Sequence, residues 1–280
     1  VLATSSYGSH LMGGQISATY LSSDTSGSHY LLDLEVYRDT LGISMGLFQN
    51  VEVYSLDTAS LSYVLDFVHP ISFDTSSGGI MSSISSVYGV EIYNFRDSIT
   101  FPSNGNYMIK WGNCCRNAAI INMAMASGED MSFLTYITVD SSNPNSTPTF
   151  LTPPVAYLPV DSIWQYNPLP FDPDGDSLVW TISVPLGYGN PVPVVVSGYE
   201  SLSDTTFYSN SNGIFSINQI TGEITWSPKM LGNFVASIAI QEYRNGVFTG
   251  GMSRDMQFIV VPDSMNAMPQ ISNMQSFPTN

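Results

Sequence analysis

Asp172, Asp174 and Asp176 stand at alternate positions in the run FDPDGDSLVW, residues 171 to 180. Calcium takes about six to eight oxygen ligands, and a tight turn bearing alternate acids can aim several of them at one ion. Three neighbouring carboxylates also repel one another unless solvent or a cation bridges them. An EF-hand is excluded, because the last acidic ligand of such a loop would fall on Ser183, which has no carboxylate. The alternative chemistry is an Asp-Gly turn whose carboxylates accept from backbone amides.

Other reactive residue types offer less. GISMG, Gly42 to Gly46, has the spacing of a hydrolase nucleophile elbow, but that motif needs a strand before it and a helix after it. Here the strand-like LFQNVEVYS follows, so the glycines read as a hairpin turn. His10, His29 and His69 are scattered, without metal-site spacing. Glu129 and Asp130 are adjacent, which does not define a glycosidase acid/base pair. No phosphate loop or dinucleotide fingerprint occurs, and the expectation is a chain that is not an enzyme. Cys114 and Cys115 are neighbours in KWGNCCRNAAIIN. They can be two reduced thiols, a vicinal disulfide or an interchain bond; nothing nearby completes a zinc set.

The chain has 280 residues, 43% of them hydrophobic, enough to bury one large or two ordinary cores. Acids outnumber bases 23 to 7, for a net charge of -16. Phosphate recognition needs clustered Lys and Arg, so nucleic acid is excluded as a partner. No apolar run approaches the roughly 20 residues of a membrane helix. VLATSSYGSH would suit a mature terminus after removal of a signal. The other end reads as a linker or as the opening of a further domain.

The elements that must position these residues are strands. YLLDLEVYRD, NVEVYSLD, SYVLDFVH, VEIYNF, YMIKWG, FLTYITVD, LVWTISV, IFSIN, EITWS, FVASIAIQEY and MQFIVV are strand-length and rich in Val, Ile, Tyr and Phe. Asn-Gly and Thr-Gly turns separate several of them. The expected fold is all-β, two tandem β-sandwich domains, with a short helix or another strand allowed over 118–130. The Pro- and Asn-rich run SSNPNSTPTFLTPP, residues 141 to 154, marks a linker, because clustered prolines cannot join a ladder. Expected bounds are 1–144 and 145–263, followed by a linker or inter-subunit tail over 264–280. Met265, Met268, Ile271, Met274 and Phe277 of that tail could be donated to a neighbouring subunit or domain.

The second half carries, in order, NSTPTF, DPDGDSLVW, IFSINQITGEITWSP, GNFVASIAIQEYRNGV and MQFIVV. This order resembles the cadherin-like immunoglobulin-type domains of bacterial surface proteins, whose signature joins a DxDGD turn to a TGEITW hairpin. The resemblance implies structural calcium at one pole of the sandwich, held by Asp172, Asp174 and Asp176. Glu242 matches an acidic position before the last hairpin, and Asn143 or Asn145 could add oxygens. In the first half, GSHLMGGQISATYL, HYLLDLEVYRD and WGNCCRN resemble the N-terminal region of large Bacteroidetes surface proteins exported by the type IX pathway. Members often have Cys after YRD; Thr40 stands there here, which weakens the case for a long-range disulfide.

Ten of the sixteen aspartates are followed by Ser or Thr. Seven of these continue in a way that resembles the O-glycosylation acceptor of exported Bacteroidetes proteins, giving Thr40, Thr58, Ser98, Ser162, Thr205 and Ser264 as candidates; Ser177 is a poor one beside the aspartates. Asx-turn chemistry at strand ends accounts for the same pairing. Asn145-Ser-Thr is a formal N-glycosylation sequon.

Together these readings predict an extracellular, bacterial-surface structural or adhesive protein, a filament or stalk component with a calcium-stiffened joint. Its partners would be copies of itself or neighbouring domains. The alternative is a module binding glycans or a host surface through exposed Tyr and Trp, although Trp164, Trp180 and Trp226 are residue types that such sandwiches more often bury.

Overall fold

The alternation seen in the sequence becomes burial. Over Gly27–Asp39, every second side chain from Ser28 to Val36 is buried, and Tyr30, Leu32, Leu34 and Val36 are wholly inaccessible. This is the period-two signature of a sheet with one covered face. The computed structural model describes residues 10–75, 79–81 and 89–263. Among them the first half forms β1 (Leu11–Asp24), β2 (Gly27–Asp39), β3 (Phe48–Asp57), β4 (Ser62–Phe73), β5 (Gly79–Met81), β6 (Val90–Phe101), β7 (Gly105–Asn113) and β8 (Met131–Val139). The second half forms β9 (Thr149–Phe150), β10 (Val155–Pro159), β11 (Trp164–Tyr166), β12 (Pro170–Phe171), β13 (Ser177–Ser183), β14 (Leu186–Gly187) and β15 (Val194–Val195). It continues with β16 (Ser216–Ile217), β17 (Ile224–Trp226), β18 (Gly232–Arg244) and β19 (Val247–Val261).

The fold is all-β, with two main cores. One lies within residues 11–139 and centres on Phe95, Phe101, Trp111 and Phe133. The other lies within 158–260, around Trp180, Trp226, Phe234 and Phe258. Over 118–130 the helix option reduces to a single 3-10 turn, Ala126–Gly128. The GISMG glycines lie in the loop before β3, with no helix following.

The two cores are not separate beads. Strand β19 pairs with β18 along its whole length. Its other edge meets β8 at Gly250–Met252, β1 at Gly14 opposite Asp255, and β10 in parallel from Gln257 to Val261. It thereby closes the circuit β1-β2-β6-β4-β3-β7-β8 of the first half. Two smaller apolar clusters mix residues of both halves: Met12, Tyr37 and Val90 with Val155 and Ile259, and Ile120 and Met123 with Val196 and Val235. The Pro-rich segment is folded into this seam. Thr147 exchanges backbone and side-chain bonds with Ala18 at 2.9 Å, and Asn145, Ser146 and Thr147 are buried.

Candidate functional site

The aspartate turn is built by its own backbone. Gly175 takes φ +76°, open to glycine at no steric cost, and its amide donates to the Asp172 carbonyl. Asp172 Oδ1 accepts the amides of Asp174 and Asp176 at 3.0 and 2.9 Å. The capping chemistry is therefore present on one oxygen, and Asp172 Oδ2 is left buried without a hydrogen-bond partner. Strand β13 starts at Ser177 and lies against β18, with Leu178 opposite Glu242. This register delivers Glu242 to the turn.

Arg244, two residues further along β18, organises the rest. Its Nε and Nη2 grip the two oxygens of Asp176 at 2.7 and 3.0 Å. Nη1 donates to Asn143 Oδ1 and the Pro144 carbonyl, and Nη2 to Asn145 Oδ1, all at 3.0 Å. One guanidinium thus ties the aspartate turn to the segment between the cores, in the planar multidentate way that suits Arg and not Lys. Asp174 turns to the same segment, accepting the Ser146 amide at 2.5 Å. Asn145 Nδ2 donates to Glu242 Oε2 at 2.8 Å, while Glu242 Oε1 has no hydrogen-bond partner.

The six predicted residues therefore share one site and divide by role. Asp172, Asp176 and Glu242 offer oxygens within 4.8 Å of one another. Asp174 Oδ2, Asn143 Oδ1 and Asn145 Oδ1 are engaged by Ser146 or Arg244, and Arg244 also holds both oxygens of Asp176. Glu242 is wholly inaccessible; burial first, then the charges of Asp172, Asp176 and Asp174, push its pKa up to about 8 against the help of Asn145. Burial likewise raises Asp172. Asp176 holds Arg244 in its charged form. Two orphaned acidic oxygens beside a third carboxylate are what a divalent cation would satisfy.

Sequence reasoning missed the bases. Arg116 is fully buried; its Nη1 lies 2.6 Å from Asp255 Oδ2, off the hydrogen-bond axis, and it donates to the Asp130 and Leu186 carbonyls at 3.1 and 2.9 Å. Lys110 Nζ is 2.7 Å from Glu52 and donates to the Gly189 carbonyl at 2.6 Å. Arg254 donates to the Thr152 carbonyl and faces the Phe150 ring. With Arg244, four of the seven bases fasten the halves or the segment between them. Their scarcity was the available signal: a chain with few cations uses each where a buried anion or carbonyl needs one.

The remaining candidates fall elsewhere. Cys114 and Cys115 have their sulfur atoms set against each other. Trp180 and Trp226 are fully buried core residues and Trp164 packs against the same core, so an exposed tryptophan platform is not built from them. Asn145 is buried and bonded at both ends of its amide, which closes its sequon to modification. Thr58, Ser98 and Thr205 are exposed, Thr40 and Ser162 half-buried; Ser264 lies outside the described residues. Asp39, Asp57, Asp140 and Asp204 each accept the amide two residues on, so Asx turns exist at these Asp-Ser and Asp-Thr pairs. The histidines stay apart: His29 faces Asp24 and His69 faces Asp97.

No family model matches the sequence, and no curated protein matches it. Among solved structures the chain is similar to the N-terminal Ig1-2 module of the Drosophila receptor protein tyrosine phosphatase DLAR, at TM-score 0.24 and 9% identity, over 89% of this chain and 98% of that one. It is similar to the two tandem V-type regions of VCBP3, a v-region-containing chitin binding protein, at TM-score 0.35 and 8% identity, over 88% and 98%. A chimeric titin Z1Z2 tandem gives 0.25 and 11%, over 87% and 99%. Superpositions this loose carry no argument. No helix among the described residues is long and apolar enough to cross a membrane. The chain is an all-β protein with two sandwich cores, on the strength of its own strands and the seam that joins them.

Proposed function

We propose that the chain is an extracellular structural or adhesive surface protein of bacterial type, a filament or stalk component whose two cores are held as one stiff unit. The supporting observation is the junction itself. A surface chain of net charge -16 spends its rare bases and a buried carboxylate cluster on fixing one half to the other. Asp172, Asp176 and Glu242 would hold structural calcium there. The bound ion would supply charge neutralisation and a cross-link, while Arg244 independently secures Asp176 to Asn143 and Asn145.

Glu242 makes the metal-free joint sensitive to pH. Its folded pKa of about 8 lies above the ordinary 4.5, so the fold keeps a proton that the unfolded chain releases. Its contribution is complete below the ordinary value and is lost as pH rises toward the folded one. In chelator, thermal stability should decline across that window, and Glu242→Gln should flatten the decline. At neutral pH calcium should raise the melting temperature, by mass action on the native state, and Asp172→Asn should abolish the rise. Coincident melting curves with calcium and with chelator would remove the metal from the joint.

The surface assignment has its own test. On intact source cells or their secreted material, antibodies against this chain should label without permeabilisation and decorate fibres at a regular repeat. Labelling confined to permeabilised cells would overturn it.

A further inference from the structure

Beside the seam lies an open groove of about 570 Å³. Its walls come from both halves: Leu134 and Tyr136 of β8, Tyr63 of β4, Leu186 of β14, and Phe248 and Met252 of β19. A second recess of about 260 Å³ adjoins it, and Tyr63, Tyr136 and Phe248 line both. Three aromatic side chains therefore divide one longer depression into two seats. Neither recess is lined by a single Asp, Glu, Lys or Arg, although acids crowd the chain as a whole. An uncharged, mostly apolar occupant matches this lining; a charged one would lose its hydration without gaining a partner.

The sequence contains a segment of that chemistry. Residues 264 to 280, SMNAMPQISNMQSFPTN, carry no charged side chain. Met265, Met268, Ile271, Met274 and Phe277 recur at every third position. That period differs from the two of a strand and the 3.6 of an α-helix; it aligns side chains on one face of a polyproline-II helix, about 9 Å apart. Aromatic-lined grooves receive Pro-rich polyproline-II segments, and this segment carries Pro269 and Pro278.

We propose that the groove is a receptor for segment 264–280 of a neighbouring copy. The direction of β19 favours a neighbour over the same molecule. From Met252 in the groove to Val261 the strand runs nine residues, roughly 30 Å, away from the site. Val261, the last strand residue ahead of the segment, thus stands that far from its own groove, and the segment of the same molecule would have to double back to fill it. A contact of this kind is heterologous: a groove on one copy, a segment from the next, with a free groove and a free segment at the two ends of any open assembly. The inference goes beyond the surface reading and needs neither calcium nor a cell surface.

The test uses the full chain. Ile271→Asp with Phe277→Asp alters the donor segment and leaves every residue of the described cores as it is. A fluorescent peptide of residues 264–280 should bind this variant saturably, and Tyr136→Ser added to it should weaken binding roughly tenfold or more. Phe248→Ser, at the partly exposed hairpin end of β19, serves the same purpose should Tyr136→Ser melt early. In sedimentation the unaltered chain should form concentration-dependent oligomers, and each single defect should suppress them. A mixture of the donor-defective and groove-defective chains should form pairs and nothing longer. Absence of saturable peptide binding, indifference to both groove substitutions, or tighter occupation of the groove by a neutral oligosaccharide would overturn the proposal. Its failure would leave the surface labelling standing, and internal labelling would leave the groove standing.

Discussion

Arg116→Ala should be the most damaging single change in the seam, lowering the unfolding free energy by about 3–5 kcal/mol. The magnitude follows from what remains behind. Arg116 and Asp255 are both almost wholly inaccessible, so truncation strands an acid in the interior and also frees the Asp130 and Leu186 carbonyls. Asp255 sits opposite Gly14 where β19 meets β1, and an unpaired charge at that point acts on the contact that closes the first half. In urea the midpoint should fall with little change in slope. The double variant Arg116→Met with Asp255→Leu should recover part of the loss, because the stranded charge is gone while the two carbonyls still lack a donor at about 1–3 kcal/mol each. Equal stability of Arg116→Ala and the unaltered chain would mean that the ion pair does not hold the seam.

Trp180→Ala should cost about 3–5 kcal/mol, through lost transfer energy and the cavity left behind. Trp180 follows the aspartate turn by four residues, is fully buried, and packs edge-on to Phe150 at 5.8 Å. Gly222 fits it closely: a Cβ there would lie 2.6 Å from the indole, and φ is +72°. The indole nitrogen has no hydrogen-bond partner, so the loss is one of packing. Thermal melts would show it, with a smaller cost for Trp180→Phe. The calcium-dependent increment proposed above should survive, since Trp180 supplies no oxygen ligand. A Trp180→Ala protein of undiminished stability would place that side chain outside the core.

How far the sequence reached depended on which residues faced one way. Strand β2 was legible because only one of its faces is covered, which writes alternation into HYLLDLEVYRD. Strand β1 was not, because Gly13 and Gly14 bring its backbone against β19 and replace the apolar signal with close approach; a Cβ on Gly13 would lie 2.6 Å from the Asp255 carbonyl. Strand β19 was half-legible. MQFIVV reads as a strand, but the polar residues upstream of it hide the part that crosses the seam, where Ser253, Arg254 and Asp255 are buried. The aspartate spacing located the acidic cluster, and the β13 register brought Glu242 to it. The role of Arg244 escaped because an isolated Arg in an exposed-looking hairpin has no motif; its meaning lies in residues about a hundred positions away.

Strand β19 also bears on how the molecule can be taken apart. The proline-rich break invites a cut, and a gene trimmed there would encode every residue of the first core. It would not encode the strand that covers the margins of β1 and β8, nor the carboxylate that answers Arg116. Ancestral duplication, recombinant trimming or proteolysis acting at that break would therefore release a piece with raw hydrogen-bonding borders, the kind that recruits foreign strands. Heredity and handling alike must treat the two cores as a single cargo.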